Sequence, residues 1–179
     1  MITAAKPLLS LVAADLMSPA PITIPQEMSL QGAARMLARA NISGAPVVDS
    51  HGRCVGVLSA HDFLCWAEKG SPASKNRPAQ SEEYCSAWQI SAVEGLPDEA
   101  VRNYMTADPV TVPPGETIGV MARMMVDAHI HRLIVLDRAS RPIGIVSSTD
   151  MLAAVARAAE GDGEHPSSGG LPWSPPTTP

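Results

Sequence analysis

The chain has 179 residues, 45% of them hydrophobic, which suits one compact domain or two small ones. With a formal net charge of −5 and only 3% aromatic residues, it lacks the basic surface and stacking platform expected of a nucleic-acid binding protein. Three cysteines at irregular spacing argue against a disulfide framework. No apolar run approaches the roughly 20 residues of a membrane-spanning helix, and no signal-peptide pattern is clear. We therefore expect a cytoplasmic protein with neither a membrane nor a nucleic-acid partner.

A duplicated unit organises the sequence. Residues 15–64 align without a gap with residues 103–152, at an offset of 88 positions, and about a third of the aligned residues are identical. Such a match predicts two copies of one structural unit. The aligned identities include Met17 with Met105, Pro21 with Pro109, Thr23 with Thr111, Asp49 with Asp137, Gly56 with Gly144, Ser59 with Ser147 and Asp62 with Asp150.

Each copy predicts the same order of elements. PITI or PVTV forms a short edge strand that proline ends, and Ser29 or Thr117 then takes the N-cap position of a helix with apolar residues at helical spacing. Two apolar runs then predict a hairpin in each repeat, APVVD with VGVL in the first and LIVLD with IGIV in the second. A last helix ends at Gly70 or Gly161. The predicted fold class is α+β, built from two β-α-β-β-α units that share a core, because one such unit is too small to bury much surface alone.

The segments outside the two repeats are predicted to form a linker and a tail. We place the first domain at residues 8–67 and the second at 97–158. Residues 68–96 form a polar linker in which SEEYCSAWQI predicts a short helix that packs through Trp88. Residues 159–179 are rich in Pro, Gly and Ser and predict a disordered tail.

The motifs GVLSAHD and GIVSSTD, at residues 56–62 and 144–150, lie where a strand gives way to a helix. Hydroxyls and free backbone amides at a helix start attract phosphate, and the carboxylate suits the vicinal hydroxyls of a ribose. The alternative is that Thr149 or Asp150 only caps a helix starting at Met151. A duplication copies caps as well as binding sites, so both interpretations remain open.

The repeat opened by MTADPVTVPPGETI and closed by GIVSSTD resembles a cystathionine β-synthase (CBS) domain, and the two repeats together resemble a tandem CBS pair, or Bateman module. The resemblance implies two units related by a pseudo-twofold axis, with two clefts between them. It also implies that AMP, ADP, ATP or S-adenosylmethionine binds in the clefts, and that two pairs associate into a homodimer.

The second repeat is more specifically similar to the final repeat of the γ regulatory subunit of AMP-activated protein kinase, through IHRLIVLD followed by GIVSSTD. This resemblance implies a role for each matching residue. His131 and Arg132 would contact phosphate, Ser147 and Thr149 phosphate or ribose, and Asp150 the ribose hydroxyls, while Ile22, Ile42 and Ser43 of the first repeat would form part of the adenine wall.

The first repeat departs from that pattern. Ser43-Gly44 stands where the second repeat has His131-Arg132, and His61 replaces Thr149. We expect one competent cleft and a second that is weak, empty or differently selective. The residues implied at this weaker site are Ser59, His61, Asp62, Val110 and Ile130.

These features favour a regulatory, energy-sensing protein that binds an adenine nucleotide and signals to an unidentified protein partner by a shift between two arrangements. The alternative is a ligand-free dimerisation scaffold, in which the hydroxyls and carboxylates serve only as caps. A metal or redox sensor using Cys54 and Cys65 is a third interpretation, but the His and Cys spacings do not supply four zinc ligands. No nucleophile has both a base and an orienting partner, so we expect no enzyme and no required cofactor.

Overall fold

A computed structural model describes residues 6–70 and 95–161. Most of the predicted linker, including the predicted helix around Trp88, lies outside these residues, as does the predicted tail beyond residue 161. Within the described residues the fold is α+β, as predicted, with five α-helices and two four-stranded sheets.

The elements follow the predicted order in both repeats. The first half contains α1 (Ala13–Leu16), β1 (Ser18–Pro19), β2 (Ile24–Pro25), α2 (Leu30–Ala40), β3 (Gly44–Val48), β4 (Cys54–Ser59) and α3 (Ala60–Gly70). The second half contains β5 (Thr106–Ala107), β6 (Thr111–Val112), α4 (Ile118–Asp127), β7 (Arg132–Leu136), β8 (Pro142–Ser147) and α5 (Ser148–Gly161). Short 3-10 turns at Leu8–Ser10 and Val101–Asn103 precede the two repeats.

The predicted hairpins and edge strands are confirmed. β3 pairs antiparallel with β4, and β7 with β8, while β2 and β6 lie at sheet edges and run parallel to β3 and β7. Ser29 caps α2, because its Oγ accepts a hydrogen bond from Gly32 N at 3.2 Å. Thr117 occupies the same position before α4, but its side chain makes no capping hydrogen bond.

The segment that begins each repeat, with β1 or β5, packs on the other repeat, which the sequence did not predict. β1 pairs antiparallel with β8, placing Ser18 opposite Ile145, and β5 pairs antiparallel with β4, placing Thr106 opposite Val57. The two sheets therefore have the strand orders β2-β3-β4-β5 and β1-β8-β7-β6. We call residues 24–70 with 95–107 the first unit, and residues 8–19 with 111–161 the second unit.

Backbone hydrogen bonds at equivalent positions secure this exchange in both units. Leu30 N donates to Glu99 O at 2.8 Å in the first unit, and Ile118 N donates to Leu11 O at 2.9 Å in the second. Because each bond joins residues far apart in the chain, neither repeat is complete without the segment that precedes the other.

The hydrophobic cores show the same exchange. Leu96 and Val101 are buried in the core of the first unit, and Ala13 and Leu16 in that of the second. Full burial of a large aliphatic side chain contributes about 1.5–3 kcal/mol, so the exchanged residues contribute substantially to each core. The other core residues are Ile24, Leu30, Ala33, Ala34, Leu37, Ala45, Val47, Leu58 and Phe63 in the first unit, and Val112, Ile118, Met121, Met125, Leu133, Val135, Val146, Met151 and Ala154 in the second.

The repeated glycines of the two motifs are explained by the exchanged strands. The side chain of Met17, before β1, lies over Gly144 of β8, and that of Met105, before β5, lies over Gly56 of β4. A Cβ atom on either glycine would overlap the methionine side chain. The glycines are therefore needed for the close approach of the exchanged strands.

We predict that Gly56→Ala and Gly144→Ala each lower the free energy of unfolding by about 1–3 kcal/mol, because the added methyl group displaces the methionine and its strand. Urea-induced unfolding followed by circular dichroism measures the change. Gly119→Ala in α4 is the matched control, since a Cβ atom there would meet no heavy atom within 4 Å apart from the adjacent backbone of its own helix, and alanine favours a helix. Equal stability of all three variants would contradict the packing role of the two motif glycines.

Candidate functional site

The chain crosses between the two units at two equivalent places. After β1, Ala20 N donates to Ile143 O of the second unit at 3.2 Å, and the chain then enters the first unit at β2. Ile22 lies on this crossing and is 44% exposed. Val110 lies on the equivalent crossing from β5 to β6 and is half-buried. Ile22, which was predicted for the adenine wall, and Val110, which was predicted for the weaker site, therefore both lie where the chain passes between units.

The junction between β8 and α5 forms a reciprocal cap. The Asp150 Oδ2 atom accepts hydrogen bonds from Ser147 N at 2.7 Å and from Ser147 Oγ at 2.6 Å. In return, Asp150 N donates a hydrogen bond to Ser147 Oγ at 3.2 Å. Because this cap starts the helix at Ser148, the expected start at Met151 is wrong. Thr149 and Asp150 lie in the first helical turn, and Thr149 is exposed.

The equivalent junction between β4 and α3 has the same two hydrogen bonds to the carboxylate of its aspartate. The Asp62 Oδ2 atom accepts from Ser59 N at 2.6 Å and from Ser59 Oγ at 2.9 Å. In addition, Thr106 Oγ1 donates to Asp62 Oδ1 at 2.8 Å. Asp150 Oδ1 accepts no hydrogen bond from any residue that the structure describes. The two carboxylates thus have the same capping role through Oδ2, but only the Oδ1 atom of Asp62 accepts a further hydrogen bond from the described residues.

Arg132 brings a positive charge to the second junction. It is the first residue of β7 and lies opposite Ser147 in the hairpin. Its Nη1 donates to Ser43 Oγ at 2.7 Å, which links the second unit to the first. Arg132 is exposed and Ser43 half-buried. A guanidinium, a hydroxyl and the positive end of the α5 dipole together favour an anion at this position.

The loops before β3 and β7 hold the remaining residues predicted for the second-repeat site. His131 is exposed, and its carbonyl accepts from Ser148 N at 3.0 Å, which fixes the loop against the start of α5. The Ser43 carbonyl likewise accepts from Ala60 N at 2.9 Å. Ile42 is half-buried and packs against the core of the first unit.

A cavity of about 500 Å³ lies beside the second junction. The residues that line the cavity include His131, which was predicted for this site, and Ile130, which was predicted for the weaker site, together with residues that the sequence did not predict. Ser148 could have been found from its position inside GIVSSTD, whereas the α4 residues carry no signal beyond helical spacing. The lining residues are Met125, Val126, His129, Ile130, His131 and Ser148.

The first junction differs from the second in its other predicted residues. His61 is exposed, and its Nε2 lies 3.4 Å from Cys65 Sγ one turn along the same helix. Gly44 takes the position of Arg132, and a Cβ atom there would lie 2.9 Å from Leu58 O. This close approach hinders an arginine at Gly44, so the first repeat has no cation corresponding to Arg132.

The described residues provide little support for a metal or redox centre. They contain no group of three or more His, Cys, Asp or Glu side chains that could hold a metal ion. Burial raises the pKa of the Cys54 thiol, which favours the unreactive neutral form.

In the ranges 6–70 and 95–161, no helix has the length and apolar character needed to cross a bilayer.

Comparisons with known proteins give similarities over most of the chain. Among curated proteins, L-aspartate semialdehyde sulfurtransferase from Methanocaldococcus jannaschii is 26% identical over 137 residues, which make up 76% of this chain. The chain spans only 22% of the length of that relative.

Three solved structures share the fold. CBSX2 in complex with AMP has a TM-score of 0.63 at 21% identity, covering 83% of this chain and 98% of that one. The CBS domain pair of protein MJ0100, in complex with 5′-methylthioadenosine and S-adenosyl-L-methionine, has a TM-score of 0.61 at 24% identity, covering 86% and 98%. Protein MJ1225 from Methanocaldococcus jannaschii, a proposed archaeal homologue of the γ subunit of AMP-activated protein kinase, has a TM-score of 0.63 at 23% identity, covering 82% and 48%.

The CBS domain family accounts for both repeats. It matches residues 12–68 and 101–157, which together contain both Ser-x-x-Asp junctions and both exchanged strands. The chain belongs to the CBS domain family and carries a tandem pair of these domains.

Proposed function

We propose that this CBS pair is a regulatory protein that binds an adenine nucleotide between its two units. The observation that carries the proposal is the β8–α5 junction, where Asp150 Oδ1 accepts no hydrogen bond from the described residues, beside the Ser147 hydroxyl at the start of a helix. Arg132 lies opposite Ser147 in the adjoining hairpin. A carboxylate oxygen for ribose beside a cation for phosphate is the pair of groups that a nucleotide requires.

The ligands of the solved relatives support an adenosine compound. CBSX2 was solved with AMP, and the MJ0100 pair with 5′-methylthioadenosine and S-adenosyl-L-methionine. In this chain, Arg132 favours AMP, ADP or ATP over S-adenosylmethionine, because the sulfonium group of the latter is itself cationic. His131 and Thr149 are further donors for the phosphate, and Ile22 and Ile42 supply apolar surface for the adenine.

Capping and ligand binding are compatible at Asp150. The cap uses Oδ2, so Oδ1 remains able to accept hydrogen bonds from the ribose hydroxyls. The cap also holds the carboxylate in a fixed orientation, which reduces the entropy lost when the ribose binds.

The contact between Arg132 and Ser43 provides a way to transmit binding. A phosphate at the junction competes with the Ser43 hydroxyl for the guanidinium, and the Arg132–Ser43 bond joins the two units. A nucleotide that binds one arrangement of the units more tightly shifts the population toward it. We propose that a protein partner recognises this shift and that the protein itself is not an enzyme.

We predict that Arg132→Ala lowers the affinity for AMP about tenfold or more and leaves the affinity for adenosine little changed, because a hydrogen bond to a charged group contributes about 1.5–3 kcal/mol. Isothermal titration of the purified full chain, stripped of bound ligand, measures both affinities. Arg138→Ala, an exposed arginine in the turn of the same repeat, is the matched control. An unchanged affinity for AMP in Arg132→Ala would remove the phosphate role.

We predict that Asp150→Ala lowers the affinity for AMP and adenosine alike, because both ligands carry the ribose. The loss of the cap also destabilises this variant, by about 1 kcal/mol. Asp150→Asn separates the two effects, since its amide oxygen still accepts from Ser147 N while the negative charge is lost. Titration and thermal unfolding of both variants test this, and a wild-type affinity in both would leave Asp150 with a capping role only.

A second candidate, the ligand-free scaffold, is favoured by exposed leucines at equivalent positions in the two repeats. Leu64 on α3 is 61% exposed and Leu152 on α5 is 68% exposed. A pseudo-twofold pair that presents one leucine from each repeat suits an isologous contact with a second copy of the chain. We therefore propose a homodimer through α3 and α5, whether or not a nucleotide binds.

We predict that the double variant Leu64→Asp/Leu152→Asp converts a dimer to a monomer, because buried carboxylates without partners oppose association. Light scattering coupled to size exclusion measures the mass. Leu9→Asp is the control, since Leu9 is 80% exposed but lies in the first 3-10 turn. A wild-type monomer, or a dimer that survives the double substitution, would contradict this interface.

A further inference from the structure

The two Ser-x-x-Asp junctions, which are equivalent in sequence, differ in the hydrogen bonding of the aspartate Oδ1 atom. At the first junction both carboxylate oxygens of Asp62 are occupied, Oδ2 by Ser59 and Oδ1 by Thr106 Oγ1 at 2.8 Å. Asp62 is only 8% exposed. At the second junction Asp150 is half-buried, and its Oδ1 has no partner among the residues of 6–70 and 95–161.

The contact depends on the exchanged strand. Thr106 lies on β5, which begins the second repeat but pairs with β4 of the first, so it reaches Asp62 across 44 positions of sequence. Its equivalent on the other exchanged strand is Ser18, which pairs opposite Ile145 and makes no hydrogen bond to Asp150 in the described structure. The β-branched threonine is restricted about χ1, whereas serine is freer to turn its hydroxyl away.

We propose that Thr106 determines which cleft binds a nucleotide, by taking one of the two acceptor positions on the Asp62 oxygen that the two ribose hydroxyls would need at the first junction. A carboxylate oxygen accepts at most two hydrogen bonds, so a ribose hydroxyl at Asp62 Oδ1 must share that oxygen with, or displace, a part-buried and charge-assisted hydrogen bond from Thr106. No such bond must be broken at Asp150. This inference rests on the proposed function and deepens it to one nucleotide per chain, bound at the second junction.

The surroundings of the first junction define what it would bind once opened. Gly44 supplies no cation for a phosphate, and the crossing after β5 carries Asp108 where the crossing after β1 carries Ala20. A ligand with a ribose but no phosphate suits these residues better than AMP does. Adenosine is therefore the probe for the opened junction, and AMP is the probe for the second.

The experiment isolates the first junction in an Asp150→Ala background. We expect Thr106→Ala/Asp150→Ala to bind adenosine about tenfold or more tightly than Asp150→Ala alone, as expected for one hydrogen bond to a charged group. Ser18→Ala/Asp150→Ala removes the equivalent hydroxyl of the other strand and is expected to match Asp150→Ala. Equilibrium dialysis of the full chains with radiolabelled adenosine gives both affinity and stoichiometry.

Thr106→Val is a second variant, which keeps the β-branched shape of the strand residue and removes only the hydroxyl. Circular dichroism and thermal unfolding confirm that each chain compared is folded. The inference is overturned if folded Thr106→Ala and Thr106→Val chains in the Asp150→Ala background gain no affinity for adenosine. It is also overturned if the wild-type chain already binds two AMP molecules.

Failure of the proposed function gives a different result. In that case the wild-type chain binds neither AMP nor adenosine, and Asp150→Ala changes nothing. The role of Thr106 can still be tested in that case with the single variant Thr106→Ala. A gain of adenosine binding in this variant supports the inference, and no gain overturns it.

Discussion

The exchange of leading segments between the two repeats is the constraint on which the rest of the structure depends. β1 and β5 each complete the sheet of the other repeat, and Leu16 and Val101 each complete its core. The two units therefore cannot separate without losing a strand and part of a hydrophobic core. The exchange also makes the chain cross twice between units, and these crossings bring Ile22 and Val110 to their boundary. A ligand bound there contacts segments that belong to both units.

The sequence predicted each repeat well because its signals are local. The strand-helix-hairpin-helix order follows from short β-branched runs, the Ser29 cap and helical spacing, all of which operate within one repeat. The exchange was not predictable in the same way. The leading segments, with Met17 and Met105 at equivalent positions, suit either copy of the repeat, so the local pattern gives no preference between the near and the far one. Chain connectivity and the packing of both units decide between them.

The candidate site was predictable only in part, because capping and ligand binding use the same residues. Ser147 and Asp150 form a cap whether or not a nucleotide binds, and Ser59 and Asp62 form a similar one through the same Oδ2 contacts. The motif therefore identifies both junctions without distinguishing them. The weakness expected of the first junction from Ser43-Gly44 now has a steric basis, since Gly44 lies too close to Leu58 O to carry a larger side chain freely.

The difference between the two carboxylates arises outside the motif that contains them. Thr106 reaches Asp62 from a strand that sequence order assigns to the other repeat. In a duplicated fold with exchanged strands, a substitution in one leading segment therefore changes the junction of the opposite repeat and leaves its own junction intact. Because the two caps stay the same, such a change need not cost the stability that the caps provide. The two junctions can thus diverge in ligand binding while both continue to start their helices.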